Sequence, residues 1–210
     1  MYGRLCALAV ALVGLVFSGT ATAHFNTGQY SHANSGCASR TDPITVVLYG
    51  FATASRSSNH IKFHTGWSGG TGGSQYFASH GICAPTTYQD QSGCGTCSRY
   101  HIRMRKTYDD DAAFGTTTTG TPHHEDWVPS CSFGIGGHAV DKGGVNLGGG
   151  GQSGFDQGRS RIYSALIGEP GHTFGGDANW GNTQEFKQCD GDWAGSHGSV
   201  FFFRMPNSSH

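Results

Sequence analysis

Charged side chains are scarce in this sequence. They make up 13% of its 210 residues, with 13 lysines and arginines against 14 aspartates and glutamates. The basic residues form no long run and no patch interleaved with aromatic residues, apart from the short segment Arg99–Lys106. Proteins that bind nucleic acids need such a basic surface to neutralise phosphates. The sequence therefore predicts no nucleic-acid partner.

Long apolar runs are absent after residue 23. A transmembrane helix needs about 20 apolar residues, and the run Leu5–Phe17 is shorter than that. It follows the positively charged Arg4 and precedes the small residues Ala21-Thr22-Ala23, an order typical of a secretory signal peptide. We therefore predict a Sec-type signal over residues 1–23, cleavage after Ala23, and a secreted, extracellular protein with no transmembrane span in the mature chain.

Hydrophobic residues are limited to 36%, while glycine occurs 35 times. Such a chain loses much backbone entropy on folding and has a thin core to offset the loss. Of seven cysteines, Cys6 leaves with the signal, so six remain and predict three disulfides in an oxidising compartment. Cys94-Gly95-Thr96-Cys97 also has the spacing of redox and zinc motifs, but no helix is predicted there to stabilise a thiolate, so a structural bridge is preferred. The six cysteines, whose pairing stays open, are Cys37, Cys83, Cys94, Cys97, Cys131 and Cys189.

The densest group of titratable residues lies between residues 99 and 126. Histidine and arginine alternate with apolar residues in Arg99–Arg105, so a strand there places the basic side chains on one face. Pro122 favours an extended conformation before it, and we expect the residues after it to leave the sheet at a turn. Catalytic groups often lie at such strand ends. The candidate catalytic residues are His101, Arg103, His123, His124 and Asp126.

Several histidines could hold a metal ion. A zinc-type ion bound by histidine and carboxylate lowers the pKa of bound water towards 7, as a hydrolase requires. His60 and His64, four residues apart on a helix predicted over Ser55–His64, could share an ion, although two unrelated histidines on an exposed helix have the same spacing. His123 and His124 are adjacent and point to opposite sides of an extended chain, which argues against both binding one ion. The candidate ligands are His123, His124, Glu125, His138, His60 and His64.

Copper is the alternative metal. Cleavage after Ala23 makes His24 the first residue, whose α-amine and imidazole could chelate copper together with His123 or His138. This arrangement resembles the brace of lytic polysaccharide monooxygenases. No other stretch resembles those enzymes, so zinc is the preferred cofactor.

The apolar patterns indicate one domain over residues 24–210. The continuous apolar run Ile44–Tyr49 predicts a buried strand, Ser199–Met205 predicts an extended segment, and Phe155–Ile167 predicts the longest helix. The predicted fold class is α+β: a single small domain with a mixed β-sheet, two main helices, glycine-rich loops and disulfide staples.

Five motifs follow one another along the chain: the strand Ile44–Tyr49, a helix ending at Gly66-Trp67, Tyr100–Arg105, Thr121–Asp126, and a helix containing Asp156, Arg159 and Leu166. Their order resembles the LssY-type C-terminal domain over residues 43–167. That family is appended to membrane proteins of the lipid-phosphatase type and also occurs as secreted actinobacterial forms. This chain departs from it in its signal peptide, its six mature cysteines, its long glycine loops and a cysteine-bearing C-terminal extension, so it resembles a free-standing secreted form. The resemblance implies a fold and no activity. A site marked by the family's histidine motifs would include His101, Arg103, His123, His124 and Asp126.

Two main functions follow from the sequence, of which the binding module is preferred and the hydrolase is the alternative. A binding module for an extracellular or cell-wall ligand would use exposed aromatic rings, for which Trp67, Trp127, Trp180 and Trp193 are candidates. A metal-dependent hydrolase of an anionic substrate, either a phosphoester or a lipid, would use the His101, His123, His124 and Asp126 region, with Arg103 binding the anion. The hydrolase requires at least three of these side chains within about 5 Å of one another beside an open cleft, whereas the binding module requires two or more exposed rings.

Overall fold

A computed structural model describes residues 30–32, 36–38, 40–50, 52–70, 75–79, 82–93, 96–107, 116–129, 131, 137–141, 152–183 and 185–206. The predicted signal peptide, His24 and Cys94 lie outside these residues, as does the side chain of His138. The described residues form a single small α+β domain with two helices and mixed sheets, so the predicted fold class is confirmed. Neither of the helices described is long and apolar enough to cross a membrane.

Most of the described chain is β-strand, and the two helices separate blocks of strands along the sequence. Helix α1 covers Ala54–Thr65 and helix α2 covers Gly154–Leu166. The strands are β1 (Tyr30–His32), β2 (Arg40–Pro43), β3 (Val46–Gly50), β4 (Ser68–Gly69), β5 (Tyr76–Ser79), β6 (Ile82–Pro85), β7 (Tyr88–Gln91), β8 (Arg99–Thr107), β9 (Thr117–Val128), β10 (Gly137–Val140), β11 (Thr173–Asn182), β12 (Phe186–Lys187), β13 (Trp193–Ala194) and β14 (Gly198–Met205).

The main sheet has the order β11-β14-β3-β9-β8-β7-β4, with β10 pairing along the end of β9. All of these pairs are antiparallel except β14 with β3, which is parallel. A smaller antiparallel sheet has the order β2-β1-β5-β6. Arg103 of β8 reaches Asp42 of β2, with Nη1 2.9 Å from Oδ2, and Arg105 donates to the backbone oxygen of Phe77 in β5. These contacts place the smaller sheet against one face of the main sheet.

The two faces of the main sheet bury separate apolar cores because side chains alternate along each strand. On the helix face, Leu48 and Phe203 pack with Ile61 of α1 and Ile162 of α2. On the opposite face, a second core of strand residues packs with Phe77 of the smaller sheet. That second core contains Ile44, Val47, Trp180, Val200 and Phe202.

The helix ends follow local capping chemistry. The Thr53 side chain accepts from the backbone N–H of Arg56 at 3.2 Å and begins α1, while Gly66 ends it in the left-handed conformation with φ 72°. Ser153 caps α2 in the same way, accepting from the N–H of Asp156. Both helices therefore begin and end within two residues of the predicted positions.

The predicted turn after Pro122 is wrong, because β9 continues to Val128. On the edge of β9 away from β8, the oxygen of Gly120 accepts from Thr45 and that of His124 accepts from Asp141. Pro122 faces this same edge by alternation, between the residues that pair with β3 and those that pair with β10. A proline there removes no ladder hydrogen bond, so the strand tolerates it.

The C-terminal segment is part of the main sheet. Strand β14 lies between β3 and β11, and Phe203 pairs with Leu48. The residues after 167 are therefore an integral part of the domain, since the segment 43–167 lacks an interior strand of its own sheet. Two of the disulfides join Cys37 to Cys83 and Cys131 to Cys189, and Cys97 is disulfide-bonded as well.

Candidate functional site: a histidine and two aspartates beside an open pocket

The sheet divides the predicted catalytic residues between its two faces. Strands β8 and β9 pair so that His101 lies opposite His123 and Tyr100 lies opposite His124. Because successive side chains alternate, His101, Arg103 and His123 face the smaller sheet, while His124 faces the helices. The five candidates therefore do not form one site.

His101, His123 and Glu125 form a buried cluster on the smaller-sheet face. Their exposed fractions are 0%, 1% and 5%. Glu125 Oε2 lies 3.2 Å from His123 Nε2, and Oε1 lies 3.5 Å from His101 Nδ1 and 2.5 Å from Arg99 Nε. The ligand atoms are close enough to hold a metal ion, but the Arg99 guanidinium already neutralises the carboxylate.

The pKa values of this cluster show the effect of burial. Burial lowers the pKa of His101 to about 3, so the imidazole is neutral. Burial would raise the pKa of Glu125, but hydrogen bonds to His101 and His123 outweigh it and hold that pKa well below its usual range. Arg103 pairs with Asp42. These groups hold the strands and sheets together and present no open face to a substrate.

A second cluster on the helix face is open to solvent. It consists of His124 and Asp126 of β9 and Asp141, which directly follows β10. Each residue offers one ligand atom, and these atoms lie within 4.8 Å of one another. His124 Nδ1 lies 2.6 Å from Asp141 Oδ2, and the two side chains are 20% and 19% exposed. We call these three residues the β9 edge cluster.

Backbone contacts fix the position of Asp141 in this cluster. Its N–H donates to the oxygen of His124 at 3.1 Å, and its own oxygen accepts from the N–H of Gly154 at 3.1 Å. Helix α2 approaches β9 very closely here, since a Cβ atom at Gly154 or Gly158 would lie under 3.0 Å from backbone atoms of β9. Two glycines four residues apart thus let α2 rest directly on the strand that carries His124.

Neighbouring side chains orient both carboxylates. Gln157 of α2 donates from Nε2 to Asp141 Oδ2 at 3.1 Å, and the Ser98 hydroxyl donates to Asp126 Oδ1. Burial raises the pKa of Asp141; the neighbouring Asp126 carboxylate raises it further, and His124 opposes the increase. A cation bound here would relieve the repulsion between the two carboxylates, as metal sites do.

A pocket of about 640 Å³ opens beside the β9 edge cluster. Two of its lining residues touch the cluster: the Tyr100 ring lies 4.7 Å from that of His124, and Gln157 bonds to Asp141. The ring of Trp67 stacks on the ring of Tyr100, with centroids 6.1 Å apart. The lining is mostly polar and comprises Tyr100, Gln152, Gln157, Ser160, Arg161 and Ser164.

The remaining predicted metal ligands lie elsewhere. His60 and His64 are both on α1, as predicted, and a third histidine, His172, joins them from the turn before β11. His138 is in β10, opposite Trp127. Glu125 belongs to the buried cluster.

Asp141, Gln157 and Arg161 were not among the site residues predicted from the sequence. Asp141 and Gln157 are 17 and 33 residues from His124, and the glycine-rich segment between them gives no periodic pattern. Gly154 and Gly158 are the useful signal, because glycines four apart in an otherwise regular helix indicate close approach to another backbone.

Comparisons with known proteins gave no match: no family model, no curated protein and no solved structure is similar to this chain. The resemblance to the LssY-type C-terminal domain therefore stays a prediction.

Proposed function

We propose that the protein is a secreted hydrolase that depends on a divalent metal ion and acts on an anionic substrate such as a phosphoester. The observation that carries this proposal is the β9 edge cluster, whose three ligand atoms lie within 4.8 Å of one another and whose neighbours Tyr100 and Gln157 line an open pocket. Three protein ligands with a further position open to solvent are typical of catalytic rather than structural zinc sites.

His124, Asp126 and Asp141 would hold the ion, which would supply a bound water of lowered pKa as the nucleophile. Gln157 holds the Asp141 carboxylate from the helix side, and Ser98 holds that of Asp126 from the strand side. Such hydrogen bonds to ligand side chains fix their orientation.

Arg161 gives the pocket its preference for anions. It is the single charged residue among the six that line the pocket. A guanidinium binds phosphate or carboxylate oxygens through two parallel hydrogen bonds, and Ser160 and Ser164 on the same helix add hydroxyl groups for neighbouring oxygens. Tyr100 and Gln157 line the pocket and also contact the β9 edge cluster, so a substrate bound in the pocket would lie next to the metal.

A binding module that stacks sugars on exposed tryptophans has less support. Trp67 and Trp180 are buried, with exposed fractions of 5% and 1%, and each packs in an apolar core. Trp193 is 45% exposed, but no second exposed ring packs beside it among the ring contacts of the described residues. Disulfides in the domain support the secreted location, because they persist in oxidising compartments.

The test is hydrolysis of bis(p-nitrophenyl) phosphate and p-nitrophenyl phosphate by the mature chain, stripped with chelator and titrated with Zn²⁺, Mn²⁺ or Mg²⁺. We expect activity that returns with one of these ions. The isosteric change Asp126→Asn should lower the affinity for the activating metal ion by at least about 10–100-fold. The matched control is Asp177→Asn, which changes an exposed strand carboxylate outside the cluster and should behave like the wild type.

Two results would contradict the proposal. One is hydrolysis that survives chelation unchanged. The other is a folded protein that binds these anions in the pocket but hydrolyses none of them with any of the three ions, which would indicate a binding function.

A second variant tests the role of Arg161. Arg161→Gln should raise the KM for an anionic ester at least about 10-fold and leave kcat nearly unchanged, because the contact is made equally in the ground and transition states. A neutral p-nitrophenyl ester serves as the control substrate. Equal effects on both substrates would show that Arg161 does not recognise charge.

A further inference from the structure

We propose that His60, His64 and His172 form a second, three-histidine zinc site that joins the end of α1 to the turn before β11. The proposal is independent of the β9 edge cluster. The ligand atoms of the three side chains lie within 4.8 Å of one another. No carboxylate shares this group, in contrast to the β9 edge cluster.

The helix positions two of the ligands. His60 and His64 lie four residues apart in the second half of α1, so their rings stand one above the other with centroids 6.0 Å apart. The helix ends directly after them at Gly66, whose N–H donates to the oxygen of Lys62. The orientation of the pair is therefore set by a regular, capped helix end.

The third ligand comes from a tight turn. The N–H of Glu169 donates to the oxygen of Leu166, and the N–H of His172 donates to the oxygen of Glu169 at 3.1 Å. This turn places the His172 ring 5.0 Å from the ring of His60 and 5.0 Å from that of His64. The three imidazoles thus meet from two elements that are more than 100 residues apart in sequence.

The ring separations fit one tetrahedral ion. Imidazoles that bind zinc at about 2.0–2.1 Å with tetrahedral angles have ring centroids roughly 5 Å apart. The observed separations are 5.0, 5.0 and 6.0 Å. Small rotations of the rings would bring three nitrogens to a common point.

The surroundings favour a metal of the zinc type. The residue His60 is 4% exposed, and the side chain of His64 is 5% exposed. Imidazoles without carboxylates suit zinc, copper or nickel rather than calcium or magnesium. Of these we propose zinc, because three imidazoles around a tetrahedral point is an established zinc arrangement.

Glu169 completes the arrangement as a positioning residue. Its Oε2 lies 3.4 Å from His64 Nδ1, and the carboxylate is 41% exposed. A carboxylate that accepts from one ring nitrogen of a ligand histidine fixes the tautomer and leaves the other nitrogen for the metal.

The experiment uses untagged mature protein with oxidised cysteines, titrated with Zn²⁺ after chelator treatment. We expect two zinc ions per chain, one of which His172→Gln removes and Asp126→Asn does not. Each zinc ion, at 100-fold above its dissociation constant, should raise the midpoint of thermal unfolding by roughly 5–10 °C. His172→Gln should lose the part of this shift that Asp126→Asn retains.

A milder variant keeps the test decisive if His172→Gln does not fold. Glu169→Gln retains all three histidines and should lower the zinc affinity of this site by about 10–100-fold. Asp177→Asn should leave that affinity unchanged. The proposal is overturned if Glu169→Gln and His172→Gln bind zinc with the stoichiometry and affinity of the wild type, or if the folded wild type takes up zinc only at the site that Asp126→Asn removes. If the wild type instead binds only the zinc that His172→Gln removes, and none that depends on Asp126, the proposed hydrolase is refuted.

Discussion

His123 and His124 are neighbours in sequence with opposite environments. His123 is 1% exposed and lies between Glu125 and the ring of His101, 4.9 Å away. His124 lies on the other face of β9, next to Asp141 and the open pocket. Strand alternation separates a buried, structural imidazole from one that can meet a ligand.

The buried cluster should make the protein sensitive to acid. His101 has a pKa of about 3 in the folded protein and about 6.5 when unfolded, so the unfolded chain binds more protons between these values. The free energy of unfolding should therefore fall as pH decreases from about 6.5 to 3, by a few kcal/mol. Glu125 acts in the same direction below its usual pKa, because its folded pKa is lowered.

Urea denaturation at a series of pH values checks this prediction. His101→Gln should flatten the decline between pH 6.5 and 4.5. Ile102→Val, at the neighbouring buried position, should lower stability by about 0.5–1.5 kcal/mol equally at all pH values. A wild-type slope in His101→Gln would show that the acid sensitivity arises elsewhere.

At the scale of single residues, the alternation of side chains along a strand was predictable from the sequence, but the side chains that meet across the fold were not. Strand alternation was enough to separate His123 from His124. The pairing of His124 with Asp141, and of His60 with His172, depends on strand pairing and helix packing across 17 and 112 residues. The spacing of residues within a short segment contains no information on contacts between segments so far apart in sequence.

Helix α2 and strand β9 form the element pair on which the proposed site depends. Gly154 and Gly158 allow the helix to rest on the strand backbone, and Gln157 between them reaches Asp141. Phe155 packs against the ring of His123, with centroids 5.5 Å apart. The helix thus touches both histidines of β9.

Gly158→Ala should therefore be strongly destabilising. Alanine has a better helix propensity by about 1 kcal/mol, but its Cβ would lie under 3.0 Å from the backbone of His123. We expect a net loss of about 2–4 kcal/mol or a displaced helix with weaker metal binding, measured by chemical denaturation and zinc titration. The control is Gly69→Ala, where nothing lies within 4 Å of the added carbon. Equal effects of the two changes would refute the close-packing argument.

The element boundaries were predictable where capping chemistry is local, as at Gly66, which ends α1 as predicted. The length of β9 was not, because proline after a polar loop is usually a sign of a turn. Whether Pro122 interrupts a strand depends on which edge its ring nitrogen faces, and that is decided by the ends of β3 and β10 rather than by the sequence around the proline.

At the scale of the whole molecule, the disulfides fasten the edges of a thin-cored fold. Cys131 follows β9, and its partner Cys189 is next to Gln188, whose amide bonds to both backbone groups of Val140 in β10. Cys37–Cys83 lies on the smaller sheet. The Cys131–Cys189 bridge is therefore close to Asp141, and the Cys37–Cys83 bridge is not.

Removal of either bridge should cost similar stability and have different effects on the site. The bridged residues are 58 and 46 positions apart, which corresponds to about 4 kcal/mol each in the chain-entropy account. The double change Cys131→Ala with Cys189→Ala should also lower the affinity of the β9 edge cluster for zinc. Cys37→Ala with Cys83→Ala should lower only stability, as measured by denaturation and metal titration. Equal zinc affinity in both variants would contradict this role.

The central claim is that His124, Asp126 and Asp141 hold a metal ion beside a substrate pocket. The most direct measurement is anomalous X-ray diffraction at the zinc edge from crystals of the zinc-loaded mature protein. The account predicts an anomalous peak bonded to these three side chains, with the pocket of Tyr100 and Arg161 open beside it. A structure with His124 bound only to Asp141, and with no peak at the cluster under saturating zinc, would contradict it.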